Sequence, residues 1–167
     1  MKKCWIFLVF ALFFTGCGAQ QTFETVSDDY VQSVSATMQQ IHLELPEHAS
    51  VTTLANREIG TLYLCDGYSV TTQNMEGGDL GRIVKAATGF ESNALQLMQT
   101  SAGELDRYEC VWVAAGENGT QVCRACILDD GNYHYVVTIM GDSIDAGNLN
   151  SQWQSIMQSV RLSSVQN

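Results

Sequence analysis

The chain is poor in proline and in positive charge. Pro46 is the single proline of 167 residues, and eight basic residues stand against eighteen acidic ones. One proline leaves no room for a polyproline linker, and neither a low-complexity tract nor an internal repeat is present. The lack of a basic stripe excludes nucleic acid as a partner, because phosphate neutralisation needs clustered Lys and Arg. It also excludes attachment to an anionic membrane through a polybasic patch. The longest apolar run, Cys4–Phe14, falls well short of the roughly 20 residues that a helix needs to cross a bilayer core. No G-x-S-x-G elbow marks a hydrolase nucleophile, and no second C-x-x-C accompanies Cys123–Cys126 to complete a structural zinc site.

What is present begins with an export segment. Lys2 and Lys3 form a positive start, an uncharged apolar stretch follows, and small residues precede Cys17. This is the layout of a secretory signal peptide. Phe14-Thr15-Gly16-Cys17 resembles a bacterial lipobox, with Phe14 where an aliphatic residue is usual. The resemblance implies that residues 1–16 are removed and that Cys17 becomes a lipidated first residue; the alternative is an ordinary secretion signal. Two acyl chains give stable attachment where one gives marginal binding. Residues 17–22 then read as the lipidated cysteine with a short polar tether, and 23–167 as a single domain. The expected location is extracytoplasmic, anchored through lipid to the bacterial membrane.

Once Lys2 and Lys3 are gone, six basic residues face eighteen acidic ones, a formal charge of −12. That charge favours solubility. Cys65, Cys110, Cys123 and Cys126 remain besides Cys17, in a compartment that permits disulfides.

Hydrophobic periodicity orders the rest. Phe23, Val26, Tyr30, Val34 and Met38 recur at helical spacing and predict a helix over 23–40. Ile41–Leu45 alternates as a half-buried strand does, and Pro46 ends it. Thr61–Cys65 and Tyr68–Gln73 flank Asp66-Gly67, a two-residue hairpin signal. Asp79 caps a helix carrying Leu80, Ile83, Val84 and Ala87, and Gly89 closes it. Strands are expected at Leu95–Gln99, Arg107–Ala114, Gln121–Leu128 and Tyr133–Met140, with turns at 116–119 and 129–132. Leu149, Trp153, Ile156, Met157 and Val160 mark one stripe of a C-terminal helix capped by Asn148 or Asn150.

Strands followed by segregated helices define an α+β domain, an antiparallel sheet with helices packed on it. Leu43-Glu44-Leu45-Pro46, the 61–73 hairpin, the 107–140 meander and Trp153–Leu162 give an order that resembles the PsbP-like fold, shared with the Ran-binding Mog proteins. The resemblance is one of pattern without a diagnostic motif. It implies an αβα sandwich and a binding or assembly role, not a shared catalytic site.

Candidate sites are few. The C-x-x-C at Cys123–Cys126 lies inside a predicted strand, where its cysteines point to opposite faces, so redox catalysis is not expected. A three-residue loop at 117–119 would make paired residue numbers sum to 236 and set Cys110 opposite Cys126, a candidate disulfide that a one-residue shift would destroy. His42 and His134 read as solvent-facing strand residues, and Asp129-Asp130-Gly131-Asn132 as turn chemistry, not a calcium loop. Tyr133 and Tyr135 share one strand face and form the candidate binding surface. No catalytic constellation, cofactor or metal is expected. The reading is a non-catalytic binding or assembly module at the cell envelope, with an envelope protein or glycan as partner. The alternatives are an envelope hydrolase, a thiol-disulfide enzyme and a small-ligand carrier.

Overall fold

The computed structural model describes residues 37–53, 60–116 and 119–163, within a compact unit spanning 35–167. The export segment, Cys17 and nearly all of the expected 23–40 helix lie outside the described residues. Nine strands are described: β1 (Gln40–His42), β2 (Ser50–Thr53), β3 (Thr61–Cys65), β4 (Tyr68–Glu76), β5 (Met98–Ala102), β6 (Leu105–Gly116), β7 (Gly119–Asp129), β8 (Tyr133–Asp142) and β9 (Arg161–Ser163). Two α-helices join them, α1 (Leu80–Thr88) and α2 (Ala146–Ser159). Seven strands form one antiparallel sheet in the order β2-β3-β4-β8-β7-β6-β5, and β1 pairs separately with β9.

The turns carry out what their residues dictate. Asp66-Gly67 closes the β3–β4 hairpin, with Cys65 opposite Tyr68 and Gly67 at φ 78°. Asp129 and Asp130 shape the β7–β8 turn: Asp129 Oδ1 accepts from Gly131 N at 2.8 Å, and Asp130 Oδ1 from Asn132 N at 2.9 Å. Asp79 caps α1 by accepting from Gly81 N, and Gly89 ends it in the left-handed region.

The central strands are buried on both faces, so their residues sort by parity. Val70, Cys126, Leu128, Tyr135, Val137 and Ile139 share the first face, where Trp153, Ile156 and Met157 of α2 cover them. Ile127 and Val136 on the second face meet Ile83 and Val84 of α1. A third cluster on that second face joins Cys110, Trp112, Cys123 and Ala125, with Leu95, Leu97 and Met140 packed against it. Helices on opposite faces of one antiparallel sheet make the expected αβα sandwich.

Several expectations change. Leu95–Gln99 is not a strand from its start; a 3-10 turn at Ser92–Ala94 precedes β5, because Leu95 and Leu97 serve the core beside Trp112. α2 begins at Ala146 after Asp145, ahead of the caps expected at Asn148 or Asn150. Of the alternating 41–45 segment only Ile41 and His42 are strand, within the three-residue β1, though Ile41, Leu43 and Leu45 pack on the first-face core. His134 is buried, because β8 lies mid-sheet under α1, whereas His42 is exposed as expected.

The β6–β7 hairpin closes one residue tighter than expected, with Gly116 opposite Gly119 and paired numbers summing to 235. Cys110 therefore faces Ala125, and Cys126 faces Glu109. The candidate Cys110–Cys126 disulfide is not formed: the two side chains lie on opposite faces, and Cys65, Cys110, Cys123 and Cys126 are all free thiols.

Trp153 is fully buried and packs on the bare backbone of Gly141, where an added Cβ would sit 2.8 Å from Trp153 Cζ2 and 3.0 Å from Tyr68 Cβ. Gly141→Ala is expected to cost about 1–3 kcal/mol in urea unfolding, because neither the ring nor the strand can yield without displacing α2. Trp153→Ala should cost about 3–5 kcal/mol. A Gly141→Ala protein as stable as wild type would mean that α2 is loosely seated.

Candidate binding groove

The expected aromatic surface on β8 takes a different form. Tyr133 is half-buried and Tyr135 is fully buried, their ring centroids 6.4 Å apart. Tyr135 cannot present its ring to a partner, because the segment entering the domain lies across it. Its hydroxyl donates to Asp130 Oδ2 at 2.8 Å and accepts from the Gln39 backbone N–H at 3.0 Å. Gln39 Nε2 donates to the same carboxylate oxygen at 3.3 Å. Asp130 Oδ1 accepts from Tyr133 N at 2.7 Å. One carboxylate thus joins the β7–β8 turn, the β8 tyrosine and the entering chain.

The titration of these groups follows from their contacts. Burial alone would raise the Asp130 carboxyl, but the backbone donors of Tyr133 and Asn132, then Tyr135 and Gln39, outweigh it and hold the carboxyl below its usual range. Burial first, then the nearby Asp130 carboxylate, pushes the Tyr135 hydroxyl up to about 12.

Immediately beside this clasp is a groove of about 550 Å³ lined by Met38, Gln40, Ile41, Gly60, Thr61, Tyr63, Thr72 and Asn74. Register explains the neighbourhood. Asn74 pairs with Tyr135 and Thr72 with Val137, while Thr61 pairs with Thr72. The floor of the groove is thus the first face of β3 and β4, at the sheet end that α2 does not cover. The entering segment forms its wall, held by Tyr135 at Gln39 and by Asn74 Nδ2 donating to Met38 Sδ at 3.2 Å. The lining offers two amides, two threonine hydroxyls and one phenol, with no Asp, Glu, Lys, Arg or His. Such a set orients a ligand through neutral hydrogen bonds, with Tyr63 as an aromatic platform.

The cysteines and histidines do not converge on one site. Burial raises the Cys110 and Cys123 thiols, and Cys126 is pushed up to about 12, so all three stay protonated at neutral pH. His134 Nε2 lies 3.3 Å from Asp129 Oδ2 but makes no hydrogen bond, and neither of its ring nitrogens is paired. His42 Nε2 meets Ser163 Oγ at 2.6 Å across the short β1–β9 ribbon. Among the described residues no group of three or more His, Cys, Asp or Glu could hold a metal ion, and no helix is long and apolar enough to cross a membrane.

Of the two tyrosines expected to form a surface on β8, Tyr135 is buried beneath the entering chain, Tyr133 stays half-buried, and neither lines the groove. The groove itself was not legible, since Gln40, Thr61 and Asn74 meet only through the β3–β4–β8 register.

No protein-family model and no curated protein sequence matches the chain. Its fold, however, is shared with solved structures. CyanoP, the cyanobacterial PsbP of Synechocystis, aligns at TM-score 0.56 and 9% identity over 78% of this chain and 96% of its own. LpqN, involved in cell envelope biogenesis of Mycobacterium tuberculosis, aligns at 0.53 and 8% identity over 77% of this chain and 86% of its own. The Ran-binding protein Mog1p of Saccharomyces cerevisiae aligns at 0.48 and 10% identity over 77% of this chain and 97% of its own. On the likeness to CyanoP and LpqN, the two with TM-scores above 0.5, the domain has the PsbP-like α+β fold, and at these identities the likeness speaks to fold alone.

Asp130→Asn is expected to cost about 1–2 kcal/mol at neutral pH, the scale of a charge-assisted network that is partly open to solvent. A lowered folded-state pKa gives stability that is complete above the unfolded carboxyl value of about 3.9 and drains as pH falls through the folded value. The gap between wild type and variant should therefore be widest near neutrality and narrow below about pH 4. Urea unfolding across pH checks this; a gap that stays constant down to about pH 2 would contradict the clasp.

Proposed function

We propose that the protein is a lipid-anchored, extracytoplasmic binding module that holds an envelope protein or glycan without transforming it. The observation that carries this reading is the groove: neutral hydrogen-bonding groups beside an aromatic ring, with a wall fixed by the Asp130–Tyr135 clasp. This chemistry recognises, whereas a nucleophile or general base would need an activated partner within hydrogen-bonding reach. The envelope setting is supported by the export segment and the lipobox-like Phe14–Cys17. A PsbP-like neighbour, LpqN, is involved in cell envelope biogenesis, which agrees with that setting.

Two experiments test separate parts of the reading. Radiolabelled palmitate should enter the wild-type protein and not Cys17→Ala, and the variant should leave the membrane fraction. Equal fractionation of the two proteins would remove the anchor. For the groove, the full chain is used to recover partners from native envelope. The double variant Gln40→Ala/Asn74→Ala should lower recovery by about tenfold, the worth of one to two hydrogen bonds. Unchanged recovery would move the recognition surface elsewhere, and turnover of a substrate panel without partner recovery would replace binding by catalysis.

A further inference from the structure

The groove between the entering segment and the β3–β4 floor offers side chains and little spare backbone. Thr61 and Tyr63 of β3 pair with Thr53 and Val51 of β2 on one side and with Thr72 and Val70 of β4 on the other. Thr72 pairs in turn with Val137 of β8. In the wall, β1 is three residues long, and all three pair with β9. Recognition of an extended peptide by strand addition needs a row of unpaired N–H and C=O groups, which a floor inside two ladders does not present.

What remains is a set of neutral groups that both donate and accept. Among the described residues the Gln40 amide and the Thr61, Tyr63 and Thr72 hydroxyls have no hydrogen-bond partner, and Asn74 commits only Nδ2, to Met38 Sδ. Amides and hydroxyls of this kind suit a ligand whose own groups do both, which is the property of sugar hydroxyls. A carboxylate, phosphate or ammonium would leave water for a lining without an opposite charge, and its lost hydration would go uncompensated. Tyr63 adds a ring for the C–H face of a pyranose. Val51, directly opposite Tyr63 and 66% exposed, continues that apolar strip toward the sheet edge. The volume of about 550 Å³ falls within the range of small-ligand clefts.

We infer that the groove takes an uncharged oligosaccharide, with one pyranose on Tyr63 and its hydroxyls on Gln40, Asn74, Thr61 and Thr72. This ligand class rests on the binding role proposed above and narrows it from protein or glycan to neutral sugar. The sugar is held and not cleaved, since glycoside hydrolysis ordinarily needs a pair of carboxyl groups and the lining has none.

The test is binding of the fluorescently labelled full chain, in detergent micelles, to an array of uncharged, anionic and cationic oligosaccharides of matched length. Calorimetry then gives Kd for the strongest binder. Uncharged sugars should bind at least about tenfold more tightly than charged counterparts, with Kd steady from about 0.1 to about 1 M salt. Tyr63→Leu, which keeps apolar bulk without the ring, should weaken binding at least about tenfold, and Tyr63→Phe less than about threefold. Urea midpoints confirm that both variants fold. Binding to no uncharged oligosaccharide, a preference for charged ones, or equal affinity of Tyr63→Leu and wild type would each overturn the sugar assignment. The binding role stands or falls separately: an envelope protein recovered through Gln40 and Asn74, without any sugar binding, would keep the groove and discard the saccharide. Competition by polysaccharide extracted from the native envelope places the source in the cell's own surface. Array binding without that competition places it outside the cell, and either result supports a neutral sugar as ligand.

Discussion

The length of the β6–β7 turn decides more of this molecule than any single contact. Closing at Gly116 opposite Gly119 fixes the parity of every residue on two long strands. A side-chain period of two means that a slip by one residue would exchange faces along the whole hairpin. The closure is fixed locally by Gly119, whose φ of 138° is a conformation that side-chain-bearing residues avoid. With the observed register, Cys126 and Leu128 lie under α2, while Cys110, Trp112, Cys123 and Ala125 form a cluster on the other face. The same parity leaves Val111 and Val113 facing outward.

Covering the first face is then a problem of area. A sheet of seven strands is about 29 Å wide at about 4.8 Å per step, whereas a fourteen-residue helix is about 21 Å long and about 10 Å across. α2 cannot blanket that surface at any crossing angle. Its apolar stripe is placed over β4, β7 and β8, with Tyr68 and Trp153 at 5.9 Å between centroids and Arg124 over the Trp153 ring at 5.7 Å. Arg107 fastens the far end of the helix by donating to Met157 O at 2.6 Å, a favourable position for a cation near a helix C-terminus. On one side the remainder is covered by Ile41, Leu43, Leu45 and Leu162. On the other side ladder pairing to β6 ends at Met98, and beyond it Val111 borders a cleft with Gln154, Met157 and Gln158 of α2.

What was legible in the sequence was local. Asp66-Gly67, Asp79 with Gly89, and the 129–132 turn name their own conformations, and the Leu149–Val160 stripe names its buried face. Fold class followed, because element order with turn signals admits few antiparallel arrangements. What was not legible depended on distant strands meeting. β4 lies beside β8 across more than fifty residues of chain, so no local signal could put Asn74 next to Tyr135. His134 read as exposed because one strand alone does not reveal that α1 will cover it. The cysteine pairing failed on one residue of loop length, a quantity that Gly116-Glu117-Asn118-Gly119 leaves ambiguous between a two- and a three-residue closure.

The groove inherits a particular mechanical character from this arrangement. Its floor is sheet, tied by two ladders of backbone hydrogen bonds. Its wall is a short stretch of entering chain, held through Gln39, the Asn74–Met38 contact and three residue pairs between β1 and β9. Elements with few buried apolar contacts and few backbone bonds open at lower free energy than the core they rest on. This wall has few backbone bonds, yet Ile41, Leu43 and Leu45 seat it on the first-face core, and the Asp130 carboxylate with Tyr135 ties its start at Gln39 to β8. Loosening it would disturb α2 as well as the groove, because Ile41, Leu43 and Leu45 share one cluster with Trp153, Ile156 and Met157, and Glu44 N donates to Ser159 Oγ at the end of the helix.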